Sequence, residues 1–395
     1  MTHSRNTPVP VLLLGGQENA LSVIRSLTRR GVPVSLSAAE SCWALRSRHC
    51  ARRFPIARGL DRGAFWEDLL LGPDHPELHG SVLLPCNDEA IEFMAARRSA
   101  LRREYLLDDH VANQQMALLD KQATLDLARS AGVPVPMHWN IEKPEDVEAI
   151  EGDVDFPVII KPIHSHLFQR VYNAKLLVVN DYPELVSKVN EVLERGLEIM
   201  VCELVPGPDD LLSSYYTYID TDGGHLFEFT KRIIRRNPVN FGGGCYHVTD
   251  WVPETAEVGR RFFRGIDFRG LGNIEFKLDQ RDGQLKVIEC NARFTAAQEL
   301  LLRSGMDIAW IIYSHITGGP VPRIEGFRDG LRLWYAFDDF EAFRMLRERG
   351  ELSLLGWLRS IARPQVLPFF AADDPLPAIA KGWSTFRKRV LRHPK

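Results

Sequence analysis

Two glutamates and an asparagine occupy matched positions in a hairpin pattern. Residues 273–279 and 284–291 are strand-like and flank an Asp-Gly pair, which is a strong turn signal. A turn centred on that pair places Glu275 directly opposite Glu289, with Asn291 on the same face. Two carboxylates in direct opposition repel each other, and a hard divalent cation with oxygen ligands relieves the repulsion. The alternative is a solvated polar face in a different register.

The same register predicts which residues of the hairpin face the core. Phe276 is expected opposite Ile288, with Ile274, Leu278 and Cys290 completing an apolar face. Burying this face would hold the carboxylates in place.

Three further features favour phosphate chemistry over a solvated face. Lys161 lies inside an apolar strand, where an ammonium needs an anion unless it reaches solvent at a sheet edge. Residues 201–210 form a strand ending in a Pro/Gly turn with two acids, which suits a base and a ribose but also fits an ordinary turn. Arg293 follows Asn291 by two residues and could neutralise a transferring phosphoryl group or merely cap the hairpin.

The elements that position these residues begin with alternating strands and helices over residues 9–115. This alternation predicts a parallel, doubly wound sheet. The turn Gly15-Gly16 precedes a helix, but G-x-G-x-x-G is absent, so a packing turn or substrate-facing loop is favoured over a dinucleotide site. Asp88 stands at the acidic start of a later helix.

The rest of the chain is mixed. Helices are predicted at 116–131, 182–194, 254–266, 296–317 and twice after about 330, and strands at 157–163, 198–205 and 215–229.

Composition excludes several classes of protein. The chain has 395 residues, 45% hydrophobic, with a net charge of −3, which argues against disorder and against nucleic-acid binding. No run of 18 apolar residues occurs, so no transmembrane segment is expected. The six cysteines form no C-x-x-C pair, which predicts free thiols and a cytoplasmic protein: Cys42, Cys50, Cys86, Cys202, Cys245 and Cys290.

From Leu119 to Arg293 the chain resembles the ATP-grasp superfamily of carboxylate–amine ligases. The matching segments keep the order and spacing of that family, including fourteen residues between the two glutamates; they are 120–136, VIIKP at 158–162, ELVPGPDD at 203–210, NIEF at 273–276 and IECNAR at 288–293. GGQENALSVIR at 15–25 and KPIHSH at 161–166 more narrowly resemble an uncharacterised branch related to the D-aspartate ligase type.

The resemblance implies an α/β architecture in four parts. These are a doubly wound pre-ATP-grasp domain (1–115), ATP-grasp subdomains A (116–200) and B (201–330), and a helical C-terminal extension (331–395).

The resemblance also implies roles for matched residues. Lys121 and Lys161 would hold the phosphates of ATP, and the main chain of Glu203, Leu204 and Val205 would bind adenine. Asp209, or less surely Asp210, would bind ribose. Glu275, Glu289 and Asn291 would hold Mg²⁺, with Mn²⁺ as a substitute, and Arg293 would stabilise the γ-phosphoryl group and the acyl phosphate.

Substrate positions are less closely matched. Gly16, Asp88, Arg232 and Gly243 are candidates. Gly243 lies within the run 241–245, which would shape the acceptor pocket or merely form a flexible loop, and Arg232, Arg235 and Arg236 precede it and would bind a substrate carboxylate. The usual glycine-rich phosphate flap is replaced by residues 164–171. His164, Ser165 and His166 either take over its contacts or pack.

The implied activity is amide formation through an acyl phosphate, with release of ADP and phosphate. Alternatives are an ATP-grasp kinase without an amine acceptor and a silent nucleotide-binding protein. Expected partners are a carboxylate and an amine, such as an amino acid and a glycan or cell-wall precursor, and a homodimer is the default assembly.

The last fifteen residues are basic, and Trp383, Phe386 and Val390 fall near one helical face. Such a helix could lie on an anionic membrane. Docking of its apolar face on the protein body is the favoured interpretation.

Overall fold

The computed structural model describes residues 7–163, 168, 171, 172, 174 and 176–391, with the side chains described up to residue 387. Three sheets organise this part of the chain, and helices cover them. The α/β prediction is confirmed.

The N-terminal sheet is parallel, with strand order β3-β2-β1-β4. Its elements are β1 Val11–Leu14, α1 Glu18–Thr28, β2 Val34–Ala39, β3 Cys50–Ile56, α2 Arg62–Leu71, β4 Val82–Pro85 and α3 Asp88–Glu104. Leu12 and Leu14 pack into one hydrophobic cluster, and Val11 and Leu13 pack into another. Both faces of the sheet are therefore covered, as in a doubly wound fold.

The turn after β1 requires glycine. Gly15 and Gly16 have φ of +71° and +83°, and a Cβ on Gly15 would lie 2.3 Å from Oδ1 of Asn87. Only glycine allows this backbone to approach the start of α3 so closely.

The single helix predicted at 116–131 is wrong in its extent. The structure has two helices, α4 Ala112–Ala117 and α5 Lys121–Ser130. Asp120 separates them, because its carboxylate accepts hydrogen bonds from the main-chain N–H groups of Gln122 and Ala123 and so caps a new helix.

The second sheet is antiparallel, with order β5-β8-β6-β7. Its elements are β5 His138–Ile141, α6 Glu145–Glu148, β6 Val158–Pro162, β7 Leu177–Val179, α7 Tyr182–Glu194 and β8 Ile199–Glu203. The boundary expected at residue 200 falls inside β8.

The third sheet has seven strands in the order β13-β12-β9-β10-β11-β14-β15. Its elements are β9 Leu212–Ile219, β10 His225–Asn237, β11 Gly243–Thr249, α8 Pro253–Gly265, β12 Gly270–Asp279, β13 Gln284–Asn291, α9 Gln298–Arg303, α10 Ile308–Ile316, β14 Arg332–Trp334, α11 Ala336–Glu348, α12 Leu354–Ile361, β15 Gln365–Val366 and α13 Leu376–Leu391. The C-terminal part is thus not purely helical, because β14 and β15 extend this sheet.

One hydrophobic cluster joins the N-terminal domain to the third sheet, with Leu21 of α1, Tyr216 of β9 and Leu300 of α9 among its members. A fully buried ion pair adds to the junction: Arg25 Nε lies 3.0 Å from Asp374 Oδ2. The C-terminal segment is therefore anchored on the N-terminal domain.

All six cysteines are buried free thiols, as expected. No helix in the described residues is long and apolar enough to cross a bilayer.

Candidate active site

The hairpin of β12 and β13 has the predicted register at its open end. Asn273 pairs with Asn291, and Glu275 pairs with Glu289. Beyond Glu275 a β-bulge shifts the pairing, so Phe276 lies opposite Val287 and the predicted Phe276–Ile288 pair is wrong. The bulge inserts one residue, and Ile288 consequently lines a cavity while Val287 packs in the core.

This cavity has a volume of about 630 Å³ and lies between helices of the N-terminal domain and strands of the second and third sheets. It collects eight of the predicted site residues: Asp88, Lys121, Lys161, Gly243, Glu275, Glu289, Asn291 and Arg293. They come from widely separated segments, so their convergence is a property of the fold.

The two lysines approach the cavity from different elements. Lys161 lies on β6 and is only 9% exposed. Lys121 is the first residue of α5, and its Nζ donates a hydrogen bond to the carbonyl oxygen of Pro162 at 3.1 Å. Two cations therefore stand side by side on one wall, where a polyphosphate could bind.

Glu275 is held by polar partners on neighbouring strands. The Ser214 hydroxyl donates to Glu275 Oε1 at 3.2 Å and accepts from Lys231 Nζ at 2.9 Å. Lys231 Nζ itself lies 3.7 Å from Glu275 Oε1. Burial raises the pKa of Glu275; Lys231 opposes this shift and Glu289 adds to it.

The donor set at the hairpin suits a hard cation. In the described part of the chain, no group of three or more His, Cys, Asp or Glu residues could hold a metal ion. Glu275, Glu289 and Asn291 instead supply two carboxylates and one amide. Since Mg²⁺ usually takes one or two carboxylates and completes its shell with water and phosphate oxygens, these residues fit it.

Arg293 joins the site to the N-terminal domain. Its Nε lies 2.6 Å from Oδ1 of Asp88, at the start of α3. Burial opposes the charged form of Arg293, but Asp88 outweighs it and raises the pKa of the guanidinium. The predicted catalytic cation and a predicted substrate residue are therefore partners.

Gly16 lies in an adjacent cavity of about 360 Å³. Arg293 and Glu18 line both cavities, so the two cavities adjoin.

Other predicted residues lie outside the main cavity. Arg232 is paired with Asp250, at 2.5 Å between Nε and Oδ2. The carboxylate of Asp209 is buried and accepts from the main-chain N–H and the Nε of Arg236, each at 3.0 Å. It is therefore already hydrogen-bonded within the protein, and its predicted role toward a ribose stays a prediction.

The predicted adenine segment begins at Glu203, the last residue of β8. Its residues Glu203, Leu204 and Val205 do not line the cavity. Val205 O accepts a hydrogen bond from Lys277 Nζ at 3.0 Å, and Gly207 O accepts a second one at 2.6 Å. Lys277 thus fixes the course of this segment.

The expectation that Arg235 and Arg236 bind a substrate carboxylate needs correction for Arg235. Its guanidinium forms a buried pair with Asp339, at 2.6 Å between Nε and Oδ1. Bulges interrupt the β10–β11 pairing on both sides of Arg235, and the side chains of Arg235 and Arg236 extend to different places. Arg236 reaches the cavity lining, whereas Arg235 anchors α11.

Sequence reasoning missed two buried groups in the cavity. Lys231 is 1% exposed, and burial lowers its pKa. His247 is 5% exposed, and no hydrogen-bond partner for either ring nitrogen occurs in the described residues. Burial, with a smaller contribution from Lys231, lowers the pKa of His247 to about 3. Lys231 could have been noticed because Phe229 and Ile233, two positions away on the same face of the strand, are apolar, but His247 gave no local signal.

Residues 164–167, which include the candidates for the phosphate flap, lie outside the described residues. Their predicted role stays a prediction.

Comparison with known proteins adds evidence of relationship. No model of a known protein family matches the chain. The D-aspartate ligase of Enterococcus faecium (strain Aus0004) is 22% identical over 239 residues, covering 58% of this chain and 56% of the ligase. The chain therefore spans little more than half the length of that relative.

Solved structures show the same fold. A biotin carboxylase from Campylobacter jejuni, in complex with β-γ-ATP, superposes with a TM-score of 0.65 at 15% identity, covering 83% of this chain and 75% of that one. An L-amino acid ligase from Bacillus licheniformis gives a TM-score of 0.59 at 16% identity, covering 80% and 78%. The sequence similarity supports the resemblance to ATP-grasp carboxylate–amine ligases, and the chain shares the fold of the two solved enzymes.

Proposed function

We propose that the protein is an ATP-dependent ligase that joins a carboxylate to an amine through an acyl phosphate and releases ADP and phosphate. The observation that carries this proposal is the single cavity in which Lys121, Lys161, the carboxylate pair of the hairpin and Arg293 meet. ATP and a divalent cation are the ligands for which such a set of charges is suited.

The charged residues have different roles in phosphoryl transfer. Lys121 and Lys161 bind the polyphosphate and keep it extended along their wall of the cavity. Glu275, Glu289 and Asn291 would hold Mg²⁺, which supplies charge neutralisation for the phosphate oxygens. Arg293 stabilises the negative charge on the transferring group, as preorganised cations do in other phosphoryl transfers.

The reaction then proceeds in two steps. An oxygen of the carboxylate substrate forms a bond to the γ-phosphorus, and the bond from that phosphorus to the ADP oxygen breaks. The nitrogen of the neutral amine attacks the acyl carbon, phosphate leaves, and the nitrogen loses a proton. The cavity contributes mainly by holding the reactants at the right distance.

The remaining cavity lining favours an amino acid as one substrate. Lys231 supplies positive charge to the cavity, and Arg236, which stays paired with Asp209, lies beside the glycine run that contains Gly243. Glu18 and Asp338 supply negative charge. Burial raises the pKa of Glu18, and Asp338 adds to that shift, so a bound ammonium group would stabilise both carboxylates. A molecule with a carboxylate and an ammonium group matches this division of charge.

A release assay tests the proposal. Purified protein with Mg-ATP is offered amino acids and carboxylates singly and in pairs, and ADP, AMP and phosphate are quantified together. We expect ADP and phosphate in equal amounts, with phosphate release dependent on the amine. Stoichiometric AMP would refute the acyl-phosphate route, ADP without phosphate would indicate a kinase, and absence of turnover despite Mg-ATP binding would indicate a silent nucleotide-binding protein.

A further inference from the structure

The C-terminal region exposes an unusual amount of apolar surface. Of the 19 large hydrophobic side chains that are exposed in the described residues, 11 lie between Phe337 and Phe386. Scattered exposed hydrophobic residues are ordinary on a soluble protein, but a concentration of this kind marks an interaction surface.

Helix α13 carries the most exposed part of this surface. Leu376, Ile379, Trp383 and Phe386 are 54%, 63%, 59% and 58% exposed. Their spacing of three, four and three residues places them on one face of the helix. The docking of this face on the protein body, favoured from the sequence, is therefore wrong for Trp383 and Phe386.

The opposite side of α13 explains how the helix stays attached. Pro377 is buried, Ala380 packs against the main hydrophobic cluster, and Lys381 Nζ lies 5.3 Å from the ring centroid of Phe369. The helix is thus anchored along one side while its apolar face remains open.

Charge distinguishes the occupants that could cover this face. Residues 375–395 contain six lysines and arginines and no acid, whereas the whole chain has a net charge of −3. In a symmetric dimer the same patch meets itself, so two such segments would repel each other. An anionic bilayer offers an apolar interior for the exposed side chains and a negative surface for the cations.

We propose that α13 docks the protein on anionic lipid membranes, with Ile379, Trp383 and Phe386 inserted among the acyl chains and the basic residues at the headgroups. Arg387 supports this arrangement, because its guanidinium lies 5.7 Å from the ring centroid of Trp383, at the border between the apolar face and the charges.

The docking surface adjoins the active site. A groove of about 780 Å³ beside α13 is lined by Phe337, Leu367 and Phe370, and it shares Tyr335 and Asp338 with the active-site cavity. A substrate held at the bilayer would therefore be close to the active-site cavity. The docking itself does not depend on the proposed ligase activity.

Vesicle co-sedimentation of the full chain tests the proposal in the absence of ATP. Vesicles of phosphatidylcholine, with and without phosphatidylglycerol, are compared at low and high salt. We expect binding to the anionic vesicles, weakening with salt, and a blue shift of tryptophan fluorescence. Removing three cations in R387Q/K388Q/R389Q should weaken binding roughly hundredfold, since each Lys or Arg near an anionic surface contributes about 1 kcal/mol.

The apolar variant W383A/F386A should lose binding at least about tenfold, since both side chains would leave the bilayer. L60A/M137A is its matched control, because Leu60 and Met137 are each 55% exposed elsewhere on the protein. Thermal unfolding should show that all variants remain folded, as the substituted side chains within the described residues are exposed.

Four results would overturn the docking proposal. They are absence of binding to anionic vesicles, equal binding to neutral vesicles, an equal loss of binding in the control, and a parental dimer that W383A/F386A dissociates without any vesicle binding. The last result would assign the face to a second copy of the chain.

Discussion

The two opposed glutamates should respond in opposite directions to the same chemical change. Glu275→Gln and Glu289→Gln each remove one negative charge and nearly preserve the shape of the side chain. Glu289 is exposed and repels Glu275 across the strand pair. Glu275 is instead the carboxylate nearest to Lys231, whose side chain is 1% exposed. Only the Glu275 substitution removes the nearest counter-charge of this buried cation, and Glu289 remains as a weaker one.

The structure sets the size of each effect without metal. Relief of the cross-strand repulsion should stabilise Glu289→Gln by about 0.2–1 kcal/mol, towards the lower end because Glu289 is exposed. Loss of one partner from a fully buried ion pair costs about 3–5 kcal/mol. Lys231 keeps its hydrogen bond to Ser214 and lies 3.7 Å from Glu275. Glu275→Gln should therefore lose less, roughly 1–3 kcal/mol.

The assay is urea unfolding at neutral pH, first with a chelator and then with saturating Mg-ATP. A ligand present at 100 times its Kd adds about 2.7 kcal/mol to the stability of the parent protein. Both variants should lose most of this gain, because each lacks one carboxylate for the cation. Glu194→Gln, an exposed glutamate of α7, is the control and should behave as the parent does.

Two outcomes would refute the reasoning. Equal stability of the two variants in chelator would show that Glu275 does not stabilise the buried charge of Lys231. Parental stabilisation of both variants by Mg-ATP, together with parental turnover, would show that this face of the hairpin holds no metal, and the ligase proposal would fail with it.

The remaining predictions concern stability elsewhere in the molecule. The pKa of His247 is about 3 in the folded protein, against a usual 6.5. The stability that neutral His247 contributes is therefore present above pH 6.5 and is lost as the pH falls towards 3, at roughly 1.4 kcal/mol per pH unit. His247→Gln should flatten this part of the plot of urea midpoint against pH, and an unchanged slope would contradict the assignment. Asp374→Asn should destabilise the protein by about 3–5 kcal/mol because it removes the carboxylate from the buried Arg25. The adjacent Asp373→Asn should change stability by less than about 1 kcal/mol, since Asp373 and its partner Arg29 are 48% and 39% exposed. Equal effects at the two positions would show that burial does not decide how much stability is lost when an ion pair is broken.

Local patterns in the sequence predicted much of the fold and part of the site. The alternation over residues 9–115 is encoded within each strand and helix. The pair of Glu275 and Glu289 depends also on a bulge, because the pairing next to the turn, continued without it, would place Glu275 opposite Ile288. The bulge after Glu275 could not be predicted, because it depends on which residue of β13 fits the core against Phe276. The helix break at Asp120 could have been recognised from its capping side chain, but the apolar periodicity on both sides of it favours one continuous helix.

Partners that are distant in sequence account for most of the other differences. Arg235 and Asp339 are 104 residues apart, and Asp209 and Arg236 are 27 apart. A charged residue in a strand can bind a substrate or another residue of the protein, and only the fold decides between the two. The same ambiguity hid His247, whose burial depends on the packing of β11 in the seven-stranded sheet.

The ion pairs around the cavity differ in how readily a ligand could replace them. Asp209 and Arg236 are 4% and 13% exposed, so separating them would leave an uncompensated charge away from water. Asp88, by contrast, is 54% exposed, and an ion pair with such a residue is worth about 1 kcal/mol or less. If a phosphoryl group took the place of Asp88, Asp88 would regain water while Arg293 exchanged one anion for another with more charge. Arg236 is therefore a fixed part of the framework, whereas Arg293 is the cation whose protein partner a ligand could replace.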